Sequence, residues 1–405
     1  MNSSLRKIII ISIILVLVLL TLPFKKTKAD EVVFWTLQMN DFAPYMNKVI
    51  SEFEAKNPEI KIKWVDVPFS EGEKRTLASV LSDNPPDLIN LNPDFSALLA
   101  QKGALWEIDE KYTEQYNKSI INSLKFNGKL YSLPWYATSA VTIYNKDLLK
   151  KAGVSLPKTY NDIFKIAPQI KSKTGSYVML PNITENDTMQ RILNKYGVVG
   201  NFNSQKSIEV FEMFKKMYEN GYIPKETVTQ THREALEKFM AEQIVFFQAG
   251  ANFLTMIKEN APSTYKNTDV SYQLTGDLGQ NDFSLMNFVI PERAKHKEEA
   301  LKFALFLTNE ENQLELAKLT NVLAVNEKTL KSDFYNRYDE KDLLSKARVI
   351  SAKQLNNIEP AIKQIRNQKE LNTLINTAVQ QILLNKRSEQ EILNELDIKL
   401  KELGS

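Results

Sequence analysis

Glu31-Val32-Val33-Phe34-Trp35, Ile60-Lys61-Ile62-Lys63-Trp64-Val65-Asp66-Val67 and Asp87-Leu88-Ile89-Asn90-Leu91 follow one another near the start of this 405-residue chain. The first and third are short continuous apolar runs, the pattern of strands buried on both faces, and the second alternates Ile60, Ile62 and Trp64 as a strand does. Between the first two, Met46, Val49, Ile50 and Phe53 recur at helical spacing from Tyr45 to Lys56, and Asn57-Pro58 stops the pattern. Lys74 to Leu81 reads as a second helix. Strand, helix, strand, helix, strand is the order of a parallel, doubly wound α/β sheet. Ligands of such sheets bind beyond the carboxyl ends of the strands. Here those loops begin at Trp35-Thr36-Leu37-Gln38, Val67-Pro68-Phe69 and Asn90-Leu91-Asn92-Pro93-Asp94.

Further along, residues 145–275 are mostly amphipathic helix, at Asn161 to Ile170, Ser207 to Glu219 and Arg233 to Met240. Strands are expected at Tyr177 to Leu180 and Ile244 to Gln248, so this region reads as a second lobe. Leu285 to Ile290 is again strand-like, Lys297 to Leu307 and Glu310 to Leu319 are helices, and after residue 340 the pattern is helical throughout. No internal repeat or long linker separates the lobes, which suggests a hinge rather than two independent beads.

Upstream of the first strand, Arg6 and Lys7 precede an apolar run from Ile8 to Leu20 broken only by Ser12, and Pro23 and a Lys-rich segment lead to Ala29. This is the layout of an export signal cut ahead of Asp30, the alternative being a retained N-terminal anchor. Cleavage is the preferred reading because the segment is short and Pro23 closes it. Either way, residues 30–405 lie outside the cytoplasm, in the periplasm or at the outer face of the membrane.

The formal charge of +3 resides in that leader: residues 1–29 carry five basic groups and no acid, leaving 47 basic and 49 acidic groups in the body. A near-neutral body has no electrostatic footprint for nucleic acid. With no Cys and only His232 and His296, disulfides, thiolate metal sites and paired-imidazole motifs are excluded. No G-x-G-x-x-G, G-x-x-x-x-G-K-[ST] or G-x-S-x-G occurs, which leaves dinucleotide binding, P-loop hydrolysis and the esterase elbow unsupported. No metal and no cofactor is called for. Asp94, Glu185 and Asp282 are carboxylates of the kind a glycosidase pair is built from, although a solvated face is the simpler reading of each.

Aromatic and amide side chains near strand ends remain. All four Trp, at 35, 64, 106 and 135, lie in the first third of the chain, and Trp135-Tyr136 is a doublet. Indole and phenol faces stack on sugar C–H faces while amides and carboxylates satisfy hydroxyls. Trp35 and Trp135 suit that role by position. Trp106 reads as core, and Trp64 divides evenly between core and cleft.

Taken together, the residues resemble a family, the extracellular solute-binding proteins of ABC importers, in the branch of maltose-binding-protein-like sugar receptors. The resemblance is carried by Val33-Phe34-Trp35-Thr36, Phe53-Glu54-Ala55-Lys56-Asn57-Pro58, Pro85-Pro86-Asp87-Leu88-Ile89 and, most specifically, Gly128-Lys129-Leu130-Tyr131-Ser132-Leu133-Pro134 with Ile143-Tyr144-Asn145-Lys146-Asp147-Leu148. It implies a two-lobed periplasmic-binding-protein fold, each lobe a mostly parallel sheet flanked by helices, joined by two or three crossing segments. The expected lobes are residues 30–140 with about 277–320, and 141–276 with about 321–405 including a helical tail. The same resemblance implies a monomer that closes on a sugar and presents it to a membrane permease. Position by position it carries ligand contacts to Gln38, Asn40, Asn92, Asp94 and Glu185, and to the turn Gly250, Asn252 and Phe253, which join Trp35, Trp135 and Tyr136, expected there from their placement. The family's glycine-proline before the late strand is replaced by Val322-Leu323-Ala324, and no lipid-bearing Cys follows the leader. A receptor for glycerol phosphate or another small polar solute, and an exported carbohydrate-active hydrolase, are the competing readings. The candidate loops contain no Arg, which favours a neutral solute over an anion.

Overall fold

The computed structural model describes residues 29–37, 39–358, 368–384 and 387–404, so the leader and Gln38 lie outside the described residues. In chain order the strands are β1 (Asp30–Leu37), β2 (Ile60–Val67), β3 (Leu88–Leu91), β4 (Lys125–Phe126), β5 (Lys129–Leu130), β6 (Ser132–Thr138), β7 (Ala140–Asn145), β8 (Tyr177–Met179), β9 (Ile244–Gly250), β10 (Thr268–Ser271), β11 (Ser284–Val289) and β12 (Leu323–Ala324). Two sheets make two lobes. The first has the order β12-β6-β11-β3-β1-β2 and the second β10-β7-β9-β8, with β4 and β5 a separate hairpin.

In the first sheet β1 lies parallel to β2 from Asp30↔Ile60 to Leu37↔Val67 and parallel to β3, as the opening stretches predict. Four of the six strands run one way, and β11 and β12 run against them. In the second sheet β8, β9 and β10 share a direction and β7 opposes them. β11, which returns from the second lobe, is inserted between β6 and β3, both earlier in the chain, and so places antiparallel pairings inside a mostly parallel frame.

The helices arise where the periodicity places them. Ala43–Lys56 buries Tyr45, Met46, Val49 and Phe53 and ends at Asn57, whose side-chain amide donates back to the Phe53 carbonyl at 2.9 Å. Lys297–Leu307 has the predicted bounds. Phe69–Val80 starts five residues before the expected Lys74, since Pro68 supplies an extended entry into its first turn. The core of the first lobe is an aromatic cluster in which Phe34 and Phe53 meet Phe303 edge-on, at 5.5 and 4.9 Å between centroids. The second lobe covers one face of its sheet with Tyr160–Thr174, Gln205–Glu219, Gln368–Leu384 and Glu389–Gly404, and buries Phe239, Phe247 and Leu254 on the other.

Two of the family-like motifs prove to be local staples. Asp87, 4% exposed, accepts from the Val33 N–H at 2.9 Å through one carboxylate oxygen and from the Lys295 and His296 N–H groups through the other. Asn145 caps the helix Lys146–Ala152 by accepting from the Asp147 and Leu148 N–H groups, both at 3.0 Å. These satisfy backbone donors that would otherwise be stranded at strand and helix starts.

The lobes are joined at Ser139, between β6 and β7, and by residues 272–283, between β10 and β11. The third crossing falls later than the expected boundary at 320–321. β12 pairs with β6 in the first sheet, and Val325 and Tyr335 belong to the first lobe's core. The helix Leu343–Gln354 then packs Ala347 and Ile350 into the second lobe, while Leu355 returns to the first. A two-residue strand carries no periodicity, so nothing local in the sequence marks it.

Candidate functional site

Strands β8 and β9 run parallel with Met179 opposite Phe246, and the chain leaves both at the edge that faces the crossings. A cavity of about 160 Å³ opens there. Tyr160, Met179, Leu180 and Ile192 supply its apolar wall, and Asn182, Glu185, Thr188, His232 and Gln248 its polar one. Ala140, Gln273 and Asp282, from the crossing segments, close the side toward the first lobe.

The loop after β8 is shaped by two asparagines in the left-handed region, Asn182 at φ 51° and Asn186 at φ 50°. Asparagine tolerates that conformation better than most side chains, and residues held there gather at functional sites. Glu185 sits between them, and one of its carboxylate oxygens accepts from the His232 N–H at 2.8 Å. The His232 ring lies 4.8 Å from Phe247 and 4.9 Å from Phe253 between centroids. Burial holds the His232 imidazole below its usual range, which favours its neutral form.

The cations at the cavity are committed. Arg191 donates through Nε to Asp187 at 2.7 Å and through Nη1 to the Phe283 carbonyl at 3.2 Å. Lys195, 2% exposed, reaches the Gln273 side-chain oxygen at 2.6 Å, the Leu274 carbonyl at 2.8 Å and Asp282 at 3.2 Å. Gln248 donates to Thr142 and accepts from the Leu274 N–H.

Of the residues expected at the site, Glu185 lines this cavity and Phe253 stands behind His232. Trp135 does not belong to a cleft: it is 0% exposed, stacked on Phe288 at 4.7 Å and edge-on to Phe34. Its strand is interior to the six-stranded sheet, and the alternation of side chains turns it into the core. Trp35 lies on the sheet face beneath Phe69–Val80, with the Arg75 guanidinium 5.0 Å over its ring. Tyr136 is half-buried, its hydroxyl 3.9 Å from the Met39 sulfur, and burial pushes that hydroxyl up to about 12. Asn92 caps the helix Pro93–Gln101 by accepting from the Phe95 N–H at 2.8 Å, and Asp94 is exposed on that helix's first turn. Asn40 is exposed, and its backbone N–H is held by Asp66. A Cβ on Gly250 would lie 2.6 Å from the Asn252 side-chain oxygen, a contact that this exposed side chain can relieve by turning away. None of the described first-lobe candidates lines the cavity. Trp64 is partly buried, its indole N–H donating to Thr36 at 2.8 Å, and Trp106 is partly buried against the first core.

Residues 38–314 match the sequence pattern of the bacterial extracellular solute-binding proteins. The chain belongs to that family. Its similarity to a multiple sugar-binding protein of Streptococcus mutans is 26% identity over 311 residues, 70% of this chain and 72% of the relative. A candidate oligosaccharide periplasmic-binding protein from Synechococcus sp. MITs9220 superposes with TM-score 0.82 at 27% identity, over 92% of this chain and 98% of that one. The sugar-binding protein MalE of Xanthomonas citri shares the fold at TM-score 0.76 and 21% identity, over 92% of this chain and 97% of that one. The solute-binding fold therefore has the two lobes that its residues imply, and the family is one of receptors. Among the described residues no cluster of three His, Asp or Glu is placed to hold a metal ion, and no helix is long and apolar enough to cross a membrane.

Lys195, His232, Gln248 and Gln273 were not legible as site residues. Lys195 ends a helix, where a solvated lysine is the ordinary case, and His232 is a lone imidazole. The one available signal was Asn182-Ile183-Thr184-Glu185-Asn186-Asp187, a polar run directly after a buried strand.

Proposed function

We propose that this solute-binding protein is an extracytoplasmic receptor for a neutral sugar, which it holds against the second lobe's wall and delivers chemically unchanged to an ABC transporter permease. The observation that carries the reading is the pairing of charges at the cavity. Arg191 and Lys195 are satisfied by Asp187, Asp282 and carbonyl groups, while Glu185 has one carboxylate oxygen engaged by His232. A site whose cations are already spent and whose carboxylate can accept hydroxyl protons suits a polyol and disfavours phosphate. An engineered apolar cavity of about 150 Å³ admits benzene, so the space here corresponds to about one sugar ring. The names of the multiple sugar-binding relative and of the Synechococcus protein support the same ligand class. In this reading residues 1–29 are an export signal, and N-terminal sequencing from the native host would return a chain starting near Asp30.

The test is a thermal-shift screen over neutral mono- and oligosaccharides, polyols and sugar phosphates. A ligand at a hundred times its Kd stabilises the folded chain by about 2.7 kcal/mol, enough for a clear shift. Stabilisation by one neutral sugar family, recovered intact afterwards, is the expected result. Stabilisation by phosphates alone, or cleavage of the sugar, would overturn the reading.

A further inference from the structure

Lys195 lines the cavity, yet it has nothing left to give a ligand. Of the three protons an ammonium carries, hydrogen bonds take two, to the Gln273 side-chain oxygen at 2.6 Å and the Leu274 carbonyl at 2.8 Å, and Asp282 at 3.2 Å pairs with the charge. Those acceptors all lie on or beside the second crossing. Gln273 stands just after β10 and Asp282 just before β11, and they clasp each other: the Gln273 amide donates to the Asp282 carbonyl at 3.0 Å and accepts from the Asp282 N–H at 3.0 Å. Gln273 also donates to Ser139, the first crossing, at 3.2 Å. From the third crossing, Gln354 donates to Ser139 and to the Ala140 carbonyl, both at 2.8 Å, and accepts from the Gln273 N–H at 2.7 Å. Ser139, Lys195, Gln273 and Gln354 are 7%, 2%, 2% and 1% exposed. Gly276 lets the crossing lie on the lysine's own backbone, since a Cβ there would come within 2.6 Å of the Lys195 carbonyl oxygen.

Three of the segments that pass between the lobes, at Ser139, at residues 272–283 and at the end of Leu343–Gln354, thus meet in one buried polar knot, and its cation among the described residues is a cavity-wall residue. Buried polar groups tolerate little rearrangement, because each broken partner leaves a desolvated donor or acceptor. Any rotation of one lobe against the other must therefore either pivot about this knot or break it.

We propose that Lys195 is a positioning residue for ligand capture: it sets the relative orientation of the lobes through Gln273 and Asp282, and contributes to affinity without touching the ligand. This rests on the cleft reading given above. When the knot is loosened, the ligand-free lobes spend less time in the arrangement that completes the site, and apparent affinity falls by the fraction lost. A coupling of the usual allosteric size corresponds to a 5- to 150-fold loss.

The experiment compares the parent with Lys195→Met, which keeps the stem and removes the ammonium, and with Asp282→Asn, which keeps shape and removes the counter-charge. Small-angle scattering follows each chain free and with the sugar selected by the screen, and calorimetry gives affinity. Both variants are expected to be more expanded than the parent when free, to compact more on saturation, and to bind at least fivefold more weakly. Should Lys195→Met fail to fold, Asp282→Asn carries the test alone. Ligand-free scattering identical to the parent's in the folded variants would overturn the proposal, whether or not affinity falls, since weaker binding at unchanged shape means a local role. Failure of the parent to bind any neutral sugar would sink the proposed function instead, and the ligand-free comparison would still judge the knot.

Discussion

Replacing Glu185, an expected contact that lines the cavity, probes the ligand reading. One carboxylate oxygen accepts from the His232 N–H at 2.8 Å, and the side chain faces the cavity beside Asn182 and Gln248. A hydrogen bond to a charged group contributes about 1.5–3 kcal/mol, a neutral one about 0.5–1.5. Glu185→Gln keeps size and an acceptor but loses charge, so a sugar hydroxyl bound there should be held about 1–1.5 kcal/mol less tightly, roughly 5- to 12-fold in Kd. Glu185→Ala removes the acceptor outright and should cost roughly 10- to 150-fold. Calorimetric titration with the screened sugar measures both, and circular dichroism verifies that the loop Asn182–Asp187 has not unfolded the lobe. Variants that fold and bind within twofold of the parent would refute the reasoning, because Asp282, the other carboxylate lining the cavity, is paired with Lys195.

Trp135→Ala should destabilise the chain by about 3–5 kcal/mol in denaturant unfolding, as a fully buried indole between Phe34 and Phe288 demands. Trp35→Ala, in contrast, should leave sugar affinity within twofold in titration, because its ring is covered by Arg75. His232 has a folded pKa below its unfolded one, so the unfolded chain binds the extra proton first and stability falls as pH drops below about 6.5. Denaturant midpoints at pH 8 and pH 5.5 should therefore differ less in His232→Phe than in the parent.

The order of strands and helices was readable because burial on one or two faces imposes a period on the residues, as at Lys297–Leu307 and along β1. What escaped is set by pairing across long separations. Trp135 looks like a residue at the mouth of a cleft until β11 brings Phe288 against it, and Lys195 looks solvated until Asp282 arrives from the second crossing. β12 is too short for any pattern, which displaced the third crossing. Of the two indoles expected as an aromatic platform, Trp135 is buried, and the rings of His232, Phe247 and Phe253 that meet beside the cavity come from two helix starts and a strand.

The crystal structure of the complex with the screened sugar tests the central claim most directly. The account predicts a sugar ring in the cavity at the ends of β8 and β9, with a hydroxyl within about 3.2 Å of the Glu185 carboxylate and no contact to the Lys195 ammonium. A sugar bound only to the first lobe, or one whose hydroxyls or anionic groups displace Asp282 from Lys195, would contradict it.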